Sequence, residues 1–63
     1  MSKAAREFFV QVDGVQVQAW VAQDRQGYRA WGDYRGKQIV CTGRSEGAAR
    51  AAWQAAADYA SKE

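Results

Sequence analysis

Phe9, Trp20, Arg29 and Trp31 are the residues through which this chain could act on another molecule. The chemistry they offer is stacking and ion pairing rather than bond making. Aromatic rings displayed on a sheet stack on nucleic-acid bases at about 1–3 kcal/mol per base. A guanidinium beside them, with an amide such as Gln18, reaches phosphates or base edges. Arg44, just ahead of a helix, offers a second cation. The same rings buried against another protein, or against a second copy of this chain, would make an interface. Within one isolated domain they would form a cross-strand ladder worth about 0.2–1 kcal/mol per pair. The sequence leaves nucleic acid (DNA or RNA), protein partner and structural ladder open together.

Catalysis is not expected. The chain has no histidine, which removes the commonest general base and metal ligand. Cys41 is the single cysteine, so neither an internal disulfide nor a CxxC motif is available. It reads as a small buried hydrophobe rather than a nucleophile. Asp13, Asp24 and Asp33 sit at or beside turns, where backbone reasons account for aspartate. No pair of carboxylates is brought together, so no acid/base site, metal cage or cofactor is expected.

Nine basic and seven acidic residues give a net charge of +2 and a pI near 9.0. This mild basic lean permits nucleic acid without requiring it. Arg25, Arg29, Arg35, Lys37, Arg44 and Arg50 are scattered over the second half and could make at most a modest phosphate-binding rim. Hydrophobic content of 48% in 63 residues fits one small folded domain over residues 1–63. The opening residues lack the apolar core of a signal peptide, and no apolar run approaches the ~20 residues that cross a membrane. With a lone cysteine, the expectation is a cytoplasmic protein without a membrane partner.

The elements that must position these side chains are set by turns. Asp13-Gly14, between alternating apolar runs, is a strong hairpin signal because both central residues must accept positive φ. It joins a strand over 7–13 to one over 15–23, with residues 1–5 as a frayed arm. A polar turn over 24–27 leads to a third strand over 28–34. Arg35-Gly36 then reads as a second two-residue turn, weakened by arginine at positive φ. The fourth strand covers 37–42. Ser45 is the natural N-cap of a helix running to about residue 60, with Glu46 in its first turn. Free N–H groups at Gly43-Arg44-Ser45 could receive a phosphate, but capping is the simpler role.

These turns fix one register: Val12 with Val15, Trp20 with Trp31, Ala30 with Cys41 and Trp31 with Val40. The fold expected is α+β, a four-stranded antiparallel meander packed on one C-terminal helix (ββββα). The core face should comprise Phe8, Val10, Val12, Val15, Val17, Ala19, Val21, Tyr28, Ala30, Ile39 and Cys41, with Gly32 leaving room for the helix. The helix should turn Ala49, Ala52, Ala56 and Ala60 inward, flanked by Trp53 and Tyr59. Phe9, Trp20, Trp31 and Val40 then form a stripe on the opposite face, among Gln11, Gln16, Gln18, Arg29, Asp33, Gln38 and Thr42. A single helix of about four turns cannot cover both faces.

Thr42 to Arg50 resembles the last strand-to-helix junction of double-stranded-RNA-binding domains, through Ser45, Ala49 and Arg50. Glu46 and Gly47 stand where that family has phosphate-gripping lysines, and its N-terminal helix is missing. Glu46 to Trp53 also resembles the helix of the plant GCC-box DNA-binding domain and of the arm-binding domain of tyrosine recombinases. That resemblance implies a sheet laid into the DNA major groove, a role falling here on Trp20, Arg29 and Trp31. Those sheets carry more arginine than this one. The stretch 28–52 is similar in general look to HicB-like antitoxins, which implies a protein-interaction module. None of these likenesses covers more than about the C-terminal half.

Overall fold

The computed structural model describes residues 5–62. Four strands, β1 (Arg6–Val12), β2 (Val15–Asp24), β3 (Gly27–Tyr34) and β4 (Lys37–Gly43), precede one helix, α1 (Glu46–Ser61). The strands form one antiparallel sheet in the order β1-β2-β3-β4, so the fold is the ββββα arrangement expected. The frayed-arm expectation falls mainly on residues 1–4, which lie outside the described residues.

Two of the three hairpin turns, β1–β2 and β3–β4, place positive φ on both central residues: 55° and 77° at Asp13 and Gly14, 53° and 79° at Arg35 and Gly36. This backbone matches the right-handed twist of the flanking strands. Arginine is disfavoured there, and its side chain lies near two neighbours in contacts open to solvent. The Arg35 guanidinium lies 5.3 Å from the centre of the Tyr34 ring and 3.7 Å from the Asp13 carboxylate of the neighbouring turn. Between β2 and β3 the Asp24 side chain closes the bend by accepting from the Gln26 amide at 2.8 Å.

With the turns fixed, the register follows. Val12 pairs with Val15, Phe8 with Ala19, Trp20 with Trp31, Ala30 with Cys41 and Trp31 with Val40. Alternation then sends one set of side chains to α1 and the other away from it. The core is Phe8, Val12, Val17, Ala19, Val21, Ala30 and Tyr34 from the sheet, with Ala49, Trp53 and Ala57 from the helix. Val10, Tyr28, Ile39, Cys41 and Ala60 pack against it, half-buried.

Three expectations need correction. Trp53 is no flank: it is fully buried at the centre of the helix face, between Ala49 and Ala57 one turn to either side. Its indole N–H donates to the Ile39 carbonyl at 2.9 Å, and its ring meets Phe8 edge-on at 6.2 Å between centres. This contact turns the buried stripe toward Trp53, leaving Ala52 and Ala56 half-buried and Tyr59 71% exposed. Val15 shares the core side of the sheet but is 58% exposed, although Val12, its register partner across the turn, is fully buried. Tyr34, omitted from the expected core, is buried, as its alternation with Ala30 and Gly32 requires.

The helix start is built as expected. Ser45 has extended backbone, and its hydroxyl accepts from the Ala48 amide at 3.1 Å. Glu46 lies in the first turn, 3.6 Å from both the Arg6 and Arg50 guanidinium groups.

Candidate binding face

The site is the sheet face turned away from α1. Its centre is a row running across the strands: Val40 on β4, Trp31 on β3, Trp20 on β2 and Glu7 on β1. Phe9 stands one step along from Glu7, directly opposite Gln18 and diagonal to Trp20. Trp20 and Trp31 are half-buried, while Phe9 is 49% and Val40 53% exposed. No described element covers these four side chains. Gln11, Gln16, Gln18, Gln38 and Thr42 surround them and are all exposed.

The structure therefore brings five of the six anticipated site residues onto one surface. Phe9 and Gln18 are register partners, Trp20 and Trp31 are register partners, and Arg29 lies two residues from Trp31 on the same side of β3. Arg44 is placed differently, in the segment between β4 and α1 at the end of the sheet. It lines a cleft with Asp24, Tyr28, Arg29, Thr42 and Gly43. Arg29 belongs both to that cleft and to a shallow groove over Trp31, Gln38 and Val40. A second groove, of about 440 Å³, runs past Trp20, Gln16, Gln18, Asp33 and Arg35 and reaches the core-side Val15, Val17 and Tyr34 at the end of the sheet.

Two acidic residues of this face escaped the reading of the sequence. Glu7 and Asp24 lie on it by strict alternation from Phe9 and Trp20, and that alternation was the signal available. The Glu7 carboxylate accepts a hydrogen bond from the Gln18 amide. Asp24 lies 3.7 Å from the Arg29 guanidinium, a pair open to solvent and worth little by itself. With Asp33, the face and its grooves carry three carboxylates, Glu7, Asp24 and Asp33, and three guanidinium groups, Arg29, Arg35 and Arg44, so opposite charges balance there.

Cys41 points to the helix side, where its thiol lies 3.6 Å from the Ala52 carbonyl. Burial pushes the thiol pKa above its ordinary value, because a thiolate is poorly solvated there. Among the described residues no group of three or more His, Cys, Asp or Glu side chains could hold a metal ion, and no helix is long and apolar enough to cross a membrane.

Comparison with protein-family models, with curated proteins and with solved structures finds no match to this chain.

Proposed function

We propose that this protein is a small non-enzymatic binding module that works through the open aromatic face of its sheet, and that its partner there is protein. The observation that carries the reading is the Trp20–Trp31 pair at the centre of a face that no described element covers. Apolar surface of this kind, rimmed by polar groups, marks interaction sites. The rim favours protein: its polar members are largely amides, and its three carboxylates balance its three guanidinium groups. Such a rim offers phosphate no net positive field, whereas an aromatic centre within polar surroundings of no net charge is ordinary interface chemistry. The likeness of residues 28–52 to HicB-like antitoxins points to the same class.

Nucleic acid is the second reading, favoured by one observation. The groove over Trp31 continues past Arg29 to Arg44, so a strand with bases on the rings would find cations for its phosphates in the cleft. The likenesses to double-stranded-RNA-binding, GCC-box and arm-binding domains support this alternative.

Tryptophan emission tests both. Trp53 is fully buried, so any change on adding a partner comes from Trp20 and Trp31. A salt-dependent shift with mixed DNA or RNA oligonucleotides selects the second reading. A shift that follows protein concentration, and is absent with oligonucleotides at low salt, selects the first. If Trp20→Gln and Trp31→Gln alter neither response, the open face is not the working surface.

A further inference from the structure

We infer that the occupant of the open face is a second copy of this chain, the two sheets meeting face to face about a two-fold axis that passes by Trp31. This rests on the reading of the face as a protein-binding surface and adds the identity and pose of the partner.

The inference comes from the charge order along β3. Arg29, Trp31 and Asp33 project to the same side at steps of two residues, so the row runs positive, neutral, negative about the indole. Two copies related by a two-fold axis must use the same patch, and that patch must complement itself. An axis lying between the sheets, across the strands at Trp31, sets β3 antiparallel to β3 of the second copy. It brings the two Trp31 rings together and places each Arg29 opposite the other copy's Asp33, twice over.

The other strands accept the same operation. On β4, Gln38 meets Thr42, and on β2, Gln18 meets Ala22, by the register that ties these residues to Asp33 and Arg29. Like charges meet at Glu7, on edge strand β1, where Gln18 already holds the carboxylate. Asp24, 3.7 Å from Arg29, stands beside the incoming Asp33, so each Arg29 guanidinium bridges one carboxylate of its own chain and one of the second copy. Sheets stacked this way keep their strands within about 30° of one another. Arg29 and Asp33 lie only roughly 7 Å along the strand from the axis, close enough for both pairs to survive that rotation. The gain is large for a chain of 63 residues whose described elements cover the sheet on one side only.

Sedimentation equilibrium of the full chain, with acrylamide quenching at the same concentrations, tests this pose. The wild type should sediment as a dimer in which Trp20 and Trp31 lose accessibility. Arg29→Asp and Asp33→Arg should each weaken the dimer by more than about tenfold, because each sets like charges opposite one another at both contacts. An equal mixture of the two variants should recover the dimer, since every contact in the mixed pair again joins opposite charges. Circular dichroism verifies folding. If either reversal unfolds the chain, Arg29→Gln and Asp33→Asn replace it, each expected to weaken the dimer severalfold.

A wild type that sediments as one chain at millimolar concentration overturns the inference. The binding-face reading then survives only if another partner protects Trp20 and Trp31. A dimer indifferent to both reversals overturns the two-fold pose. A dimer whose Trp20 and Trp31 remain as quenchable as in the dilute protein overturns the pose and the protein-binding reading together.

Discussion

The edge of the Trp53 indole occupies the space that a side chain on Gly32 would need: its Cζ2 lies 2.9 Å from where a Cβ there would sit. The backbone of β2 crowds the same point, with the Gln18 carbonyl also at 2.9 Å. Glycine at position 32 is thus a packing requirement. It lets the largest side chain of the helix approach the sheet closely, where its indole N–H donates to the Ile39 carbonyl.

Gly32→Ala should therefore destabilise the fold by about 1–3 kcal/mol, the usual cost of forcing extra volume into a packed core. Urea unfolding followed by circular dichroism would measure it as a lowered midpoint with an unchanged slope. A midpoint equal to the wild type would mean that the helix shifts freely on the sheet.

Trp53→Ala should be far worse, removing roughly 3–5 kcal/mol. That is a large fraction of the stability of so small a domain, and the variant should be largely unfolded at 25 °C. Trp53→Phe should fold, with a lower melting temperature and without the blue-shifted, quencher-resistant emission of the buried indole.

Ser45→Ala removes the hydroxyl that accepts from the Ala48 amide and should cost about 1 kcal/mol. The loss should appear as faster amide hydrogen exchange in the first turn of α1 as well as a lower unfolding midpoint. Ser45→Asp, which preserves an acceptor, should stay near the wild type.

Trp20→Gln and Trp31→Gln should change stability by no more than about 1 kcal/mol each, because each ring gives up only cross-strand contacts on the open side. Their effect on association should be much larger. Comparing urea midpoints with sedimentation of the same two variants checks the contrast, and large losses of stability would assign these rings to the fold instead.

Cys41 should react slowly with iodoacetamide at neutral pH and faster as the solution becomes alkaline, since burial raises its thiol pKa. The sign for stability follows. The native chain keeps this proton over a range where the unfolded chain has lost it. Stability from this group is full below the unfolded thiol pKa and declines as pH rises through the folded one. Alkylation rates of native and urea-unfolded protein across that range measure both effects.

The turn dipeptides made the sheet legible. Asp13-Gly14 and Arg35-Gly36 each leave a two-residue reversal as the only register that keeps apolar residues on one side, and the observed pairing follows it. The helix face was harder to read. An alanine-rich helix offers several small-residue stripes of similar quality, and the wheel alone could not weigh them against one bulky ring. Trp53 decided the matter through the vacancy at Gly32, a pairing of positions 21 residues apart that no local pattern displays. On the candidate site, the rings were visible from alternation, whereas the charge balance emerged only when Glu7 and Asp24 were placed beside Arg29 and Asp33.

Because α1 lies on one side of the sheet only, the residues that keep the chain folded and those on the open face belong to separate sets. If the proposed binding face is the working surface, substitutions at Phe9, Gln18, Trp31 or Asp33 would change specificity while Trp53 and its surroundings hold the architecture constant. A lineage carrying this scaffold could thus drift quickly in what it binds, its outward side chains diverging while the turns and the helix underside stay fixed.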